Sequence, residues 1–252
     1  MTFDSNHVTM ANTEAEDCDH VIKILALGDS LVGKSSFIHR YTDDSFLDDA
    51  TPTIGIDMRE KRTVYHPRDI NANETNTDNE KLKLGKAPSA ENTPTTLGKR
   101  IRLLIYDTAG QERYRSIATS FFRDAMGFFV VFDVTNESSF VNVRQWMTHL
   151  ATHAHCERPP ILLLGNKNDL PDEERQVEPS AISELSEQVG VPYFEVSALT
   201  GHNVDVAVEY LLHLVMEDLE RRKMLDKSSL GNGATVKLRA GVEKKFDKCA
   251  CC

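Results

Sequence analysis

The stretch VIKILAL at 21–27 runs directly into GDSLVGKS at 28–35, and this junction decides how the rest of the chain is read. A short apolar run closed by glycine reads as a buried strand. The string after it fits G-x-x-x-x-G-K-[ST], and a helical stretch begins near Lys34 and ends around Tyr41. Gly28 and Gly33 permit backbone conformations and close approaches that a Cβ would obstruct. Successive N–H groups then point at phosphate oxygens, aided by the positive end of the helix that follows. Ser30, Leu31, Val32, Gly33, Lys34, Ser35 and Ser36 are the candidate cradle. Lys34 is expected to reach the β- and γ-phosphates of a nucleotide, and the Ser35 hydroxyl to ligate Mg²⁺. A glycine turn with a solvated lysine is the bland alternative, and the motifs downstream weigh against it.

Further strands are expected over 56–65, 101–106, 127–133, 161–164 and 193–196. Helices are expected near 114–123, from Ser138 to about His155, over 180–189 and from Val204 to about Arg222. Strands alternating with helices at this spacing imply βαβ units. The expected fold is a doubly wound, mostly parallel six-stranded α/β sheet with helices on both faces. Residues 66–100 contain no Phe, Tyr or Trp and are rich in Asn, Thr, Pro and Gly. Such a segment buries too little apolar surface to offset its ordering entropy, so it reads as a disordered insertion. The expected organisation is an acidic N-terminus over 1–20, one domain over 21–225 interrupted by that insertion, and a tail over 226–252.

NKND at 166–169 follows the strand at 161–164. In a doubly wound sheet, ligands bind beyond the carboxyl ends of the strands. A carboxylate such as Asp169 accepts from both the N1–H and the 2-amino group of guanine, a donor pair that adenine lacks. Asn166 would hold the loop and the base, and the Lys167 stem would lie over the ring. Ser197, Ala198 and Leu199 follow the strand at 193–196 in the same way and are expected to offer backbone donors to the base oxygen. DTAGQ at 107–111 ends another strand. Asp107 would support Mg²⁺, the Gly110 N–H would meet the γ-phosphate, and Gln111 would orient the attacking water. Thr53, in TPTIGID, is the candidate second hydroxyl ligand of Mg²⁺, although Pro52-Thr53 also suits a simple turn.

The net charge of −10 makes nucleic acid an unfavourable partner. The first twenty residues carry Asp4, Glu14, Glu16, Asp17 and Asp19 with no Lys or Arg and no apolar segment, unlike a signal peptide. The five cysteines include Cys249, Cys251 and Cys252 at the very end, where no core would use them. The same tail holds Lys237, Arg239, Lys244, Lys245 and Lys248 against Glu243 and Asp247, a basic excess suited to an anionic leaflet. His149, His153 and His155 lie near one helix end and read as solvated surface.

The motifs GDSLVGKSSF, TIGID, DTAGQERYRSI, FFRDAMG, GNKND and VSAL resemble, in this order, the Rab family of small GTPases within the Ras superfamily. GIDMREKR, FFRDAMGFF and NVRQWM are most similar to its twenty-seven branch, which serves regulated secretion. The resemblance covers about residues 20–222 and implies a GTP/GDP switch with Mg²⁺ that hydrolyses GTP slowly. It implies that Phe46 packs against the guanine, and that Thr53 and Gln111 anchor the two switch loops released on hydrolysis. It implies effectors, an exchange factor, a GTPase-activating protein, a prenylation escort and a GDP-dissociation inhibitor as partners, and a monomer. It further implies geranylgeranyl groups on Cys251 and Cys252, or on Cys249 and Cys251, anchoring a cytosolic protein to the cytoplasmic face of secretory vesicles. One departure stands out: the family's aromatic effector triad is here Met58, Tyr106 and Phe121. The competing expectations are a nucleotide-bound scaffold with negligible hydrolysis and, against NKND, an ATP-dependent enzyme.

Overall fold

The computed structural model describes residues 18–47, 53, 55–67, 98–110, 121–122, 124–154 and 158–231. Strand β1 (His20–Leu27) lies at the centre of a six-stranded sheet of order β2-β3-β1-β4-β5-β6. Its neighbours β3 (Lys99–Thr108) and β4 (Gly127–Asp133) are both parallel to it, as are β5 (Ile161–Asn166) to β4 and β6 (Tyr193–Glu195) to β5. Only β2 (Ile56–Tyr65) runs antiparallel, against β3. The mostly parallel sheet read from the sequence is therefore present. Every residue of β4 is buried, as expected for a parallel strand covered on both faces. β2 alternates between exposed and half-buried positions, as an edge strand does.

Helix α1 (Lys34–Asp43) leaves the end of β1 and buries Phe37, Ile38 and Tyr41. The segment expected as one helix from Ser138 is two: α2 (Glu137–Val141) and α3 (Val143–His153). They share Asn142 as a turn residue, and asparagine is a poor helix interior residue. α3 buries Val143, Trp146 and Leu150, and α4 (Pro179–Val189) buries Ile182 and Leu185. These side chains meet Phe122, Phe128, Val130 and Phe132 in one apolar cluster. The last helix, α5 (Val204–Gly231), buries Val204, Ala207, Val208, Leu211, Leu212, Val215 and Met216, an i, i+3, i+4 stripe. It continues to Gly231, into the stretch expected as tail. The compact unit ends at Met216. In the helix beyond it, Asp218 pairs with Arg222 at 2.6 Å.

Two other expectations change. β3 begins at Lys99, so Lys99 and Arg100, assigned to the insertion from composition, pair with Tyr65 and Val64 of β2. The Arg100 N–H also donates to the Asp19 carboxylate at 2.7 Å, and its carbonyl accepts from the Asp19 N–H at 2.8 Å. His149 and His153 are not plain solvated surface either. Their rings stack at 4.3 Å and pack 6.0 and 6.2 Å from the buried Phe122 ring. Residues 1–17 of the acidic N-terminus, most of the 66–100 insertion, most of the 114–123 helix, and His155 lie outside the described residues. Among the described residues, no helix is long and apolar enough to cross a membrane.

Candidate functional site

The carboxyl ends of β1, β3 and β5 converge on one cavity of about 450 Å³. One end of it is formed by the loop between β1 and α1, the candidate phosphate cradle. Gly33 there has φ +91°, and a Cβ on it would sit 2.3 Å from the Asn166 side-chain nitrogen. Glycine is needed at this position for both reasons. Lys34 is 5% exposed, and its Nζ donates to the carbonyls of Gly28 at 3.0 Å and Asp29 at 2.6 Å. Burial lowers its pKa to about 8, against the opposing pull of the Asp107 and Asp29 carboxylates. A buried ammonium held by neutral carbonyls at the rim of a cavity is arranged to meet an anion.

Beside it, three oxygen ligands of the hard type gather. Thr53 Oγ1 lies 2.9 Å from Ser35 Oγ and 3.3 Å from Asp107 Oδ2, to which the Ser35 hydroxyl also donates. Burial raises the pKa of Asp107, partly offset by the Ser35 hydrogen bond and the Lys34 charge. Its Oδ1 is buried with no hydrogen-bond partner among the described residues. Two hydroxyls and a carboxylate with an unused buried oxygen match the donor set of Mg²⁺, which takes few protein oxygens beside those of a phosphate. The residues present fit the ion.

At the base end, Asn166 is 1% exposed and bridges two loops. Its Nδ2 donates to the Val32 carbonyl at 2.9 Å, and its Oδ1 accepts from the Ala198 N–H at 3.1 Å. Ser197 Oγ donates to Asp169 Oδ1 at 2.5 Å, which leaves Asp169 Oδ2 for another donor. Lys167 sits at φ +69° and pairs through Nζ with the buried Asp133 at 2.5 Å. Lys167 also lines the cavity. Phe46, 38% exposed, faces the same space.

Ser30, Leu31, Gly33, Lys34, Ser35, Ser36, Phe46, Thr53, Gly110, Asn166, Lys167, Asp169, Ala198 and Leu199 all line the cavity. Val32 and Ser197 do not line it. They are buried behind it, and act through the Asn166 and Asp169 contacts already given. Gln111, Cys249, Cys251 and Cys252 lie outside the described residues. The sequence reading missed Leu47 and Leu170 in the lining, and missed Asp133 and Arg40 as supports. Arg40 of α1 donates through Nε to the Ala198 carbonyl at 2.9 Å and through Nη2 to that of Leu199 at 2.5 Å. Nothing local in the sequence links it to a loop so far along the chain. Away from the cavity, Met58 pairs in register with Tyr106, whose ring lies 5.4 Å from that of Phe121. The departure from the aromatic triad is thus a contiguous surface feature, with Met58 46% exposed.

Comparison with known proteins agrees with this geometry. The chain matches the Ras family over residues 23–83 and 73–217. It is 45% identical to the Ras-related protein Rab-27B of Homo sapiens over 239 residues, which cover 93% of this chain and 98% of that one. It is also 45% identical to human Rab-27A over 241 residues, with the same coverage. To Rab-27A of Canis lupus familiaris it is 46% identical over 217 residues, 86% of this chain and 87% of that one. The chain belongs to the Ras family as a Rab27-like small GTPase, a GTP- and Mg²⁺-dependent switch that regulates vesicle traffic and exocytosis.

Proposed function

We propose a division of labour within the site. The loop amides and Lys34 hold the β- and γ-phosphates, and Ser35, Thr53 and Asp107 provide for the magnesium ion, Asp107 through water. Bound there, the ion offsets phosphate charge. Phe46 and the Lys167 stem enclose the base, and Asp169 selects guanine. Gln111 orients the attacking water, and Thr53 and Gly110 sense the γ-phosphate at the two switch loops. The single observation that carries this reading is the meeting, in one cavity, of a buried lysine, an oxygen cluster and a half-engaged carboxylate.

As a Rab, the chain works through effectors and regulators in general. We assign it an exchange factor, an activating protein, a prenylation escort and a GDP-dissociation inhibitor. The domain over 21–225 carries the switch and the cysteine-ended tail carries two lipids, which together give stable attachment to the cytoplasmic face of secretory vesicles. Single-turnover hydrolysis of bound GTP, with and without an activating protein, tests the catalytic part. Phosphate release in neither case leaves only a nucleotide-bound scaffold. Capture of partners by Gln111→Leu loaded with GTP, against Ser35→Asn, tests the signalling part. Identical partner sets would end it.

A further inference from the structure

We propose that Asn142 and Trp146 are positioning residues of the nucleotide site, which clamp Asp29 so that its main chain anchors Lys34. The inference rests on the nucleotide reading above and adds residues from outside its motifs. Asn142 Nδ2 donates to Asp29 Oδ2 at 2.6 Å, and Trp146 Nε1 donates to Asp29 Oδ1 at 2.9 Å. Asn142 is the residue that opens α3 and Trp146 follows four residues later in its first turn, so a single carboxylate is gripped by both oxygens. The carbonyl of the same Asp29 accepts from Lys34 Nζ at 2.6 Å. The backbone of Gly110 rests against this peptide as well: a Cβ there would lie 2.3 Å from Asp29 C and from Ser30 N. The Asp29 peptide is where the phosphate loop, the buried lysine and the DTAG strand end meet, and α3 fixes it through the side chain.

A purely packing role for Trp146 is the competing account, since its ring belongs to the apolar cluster and is 3% exposed. Packing alone would be served by Phe. The indole N–H aimed at a carboxylate is what Phe lacks. Hydrogen bonds to a charged acceptor are the stronger kind, and a half-buried carboxylate stripped of its donors re-orients toward water. Re-orientation would move the Asp29 carbonyl and loosen Lys34 without touching a residue that contacts nucleotide.

The test uses the full chain loaded with fluorescent GDP and Mg²⁺, chased with excess unlabelled GDP. Trp146→Phe is expected to release nucleotide about tenfold faster, and Asn142→Ala several-fold faster. Asp29→Ala should be at least as fast as either. The double variant Trp146→Phe with Asp29→Ala should be no faster than Asp29→Ala alone, because both changes break one clamp. Asp29→Asn, which keeps one acceptor oxygen, should fall between. Release by both Trp146→Phe and Asn142→Ala within about twofold of wild type would overturn the proposal even if melting temperatures drop. Multiplicative effects in the double variant would overturn it too. If Trp146→Phe does not fold, Asn142→Ala and its combination with Asp29→Ala decide. Wild-type protein that retains no GDP would remove the site reading and the clamp together. Normal wild-type retention with unmoved variants removes the clamp alone.

Discussion

The two ends of the cavity are built from different material. At the end we assign to the phosphates, recognition belongs to the main chain and to one buried cation, Lys34, whose hydrogen bonds go to the carbonyls of its own loop. At the base end it belongs to side chains held by other side chains: Ser197 on Asp169, Asp133 on Lys167, Arg40 on the 198–199 carbonyls. The difference follows from the ligand. Phosphate is a symmetric anion, satisfied by any ring of N–H groups, so a loop with glycine in the right places suffices. A purine edge has a directional donor and acceptor pattern, and matching it needs groups that cannot swing.

The sharpest break in that contrast is expected at Asp169. Asp169→Asn replaces a carboxylate that accepts twice with an amide that accepts and donates. Affinity for GDP should fall about 1,000-fold or more, because the N1–H and 2-amino donors of guanine then face an unmatched partner. Xanthosine diphosphate, with a carbonyl at that edge, should bind better than to wild type. Competition binding of the two nucleotides checks this, and unchanged guanine preference would show that the base is read elsewhere.

Asn166 is the residue where the two ends join, since it bonds both the Val32 carbonyl and the Ala198 N–H. Asn166→Ala strands both groups at a site that is 1% exposed. It should cost about 3 kcal/mol of unfolding free energy in nucleotide-free protein and weaken GDP by about 100-fold. Denaturant titration and equilibrium binding read the two losses separately. Loss of stability with normal affinity would mean that the ends are fastened independently.

How much of this was legible in the sequence follows the same division. The phosphate loop was readable because its working parts are contiguous, and the apolar runs of β1 and β4 were readable because buried parallel strands have no polar face to interrupt them. NKND was readable as a motif, yet its supports were not. Asp133 ends a different strand, and Arg40 lies 158 residues from the carbonyl it holds. Pairings at that separation are fixed by the sheet order, which spacing alone does not supply. The helix from Ser138 read as continuous because its apolar positions keep a helical period across Asn142. The stacked His149 and His153 read as surface because an i, i+4 pair does not say which face of the helix it occupies. Gly110 was found because DTAG is a motif. Asn142 and Trp146 were not, because they bind the loop through Asp29: NVRQWM marked the branch of the family and said nothing of what its side chains touch.

The phosphate end should carry a pH signature that the base end lacks. Folding lowers the Lys34 pKa from 10.5 to about 8, first through burial. Without nucleotide, the unfolded chain keeps this proton up to about pH 10.5, whereas the folded chain gives it up near pH 8. In that window the unfolded state binds more protons, so the contribution of Lys34 to the stability of nucleotide-free protein rises with pH. Nucleotide affinity should move the other way. A phosphate requires the ammonium, so above about pH 8 binding must first restore a proton, and affinity falls by up to about tenfold per pH unit. Binding of GDP measured from about pH 7 to 9 should show the decline begin within that range, and Lys34→Arg should remove it because a guanidinium stays charged there. A flat profile in the wild type would mean that the lysine is already charged in the empty site.

The smallest expected effect tests whether the base end is rigid because it is held from behind. Arg40 reaches the Ala198 and Leu199 carbonyls from α1, the helix that also begins with Lys34. Arg40→Met keeps the apolar stem but removes both donors, so the 197–199 loop loses its tie to the phosphate-binding helix. Guanine affinity should drop about fivefold, and discrimination between GDP and inosine diphosphate should narrow, while Mg²⁺ dependence stays as in wild type. Arg40→Lys should not restore it, because a single ammonium cannot reproduce the planar fork that serves two carbonyls at once. Calorimetric titration of nucleotide-free protein with each diphosphate measures all three outcomes. Equal losses for both bases would place Arg40 in general support of the fold, and the rigidity of the base end would then rest on Asn166, Ser197 and Asp133.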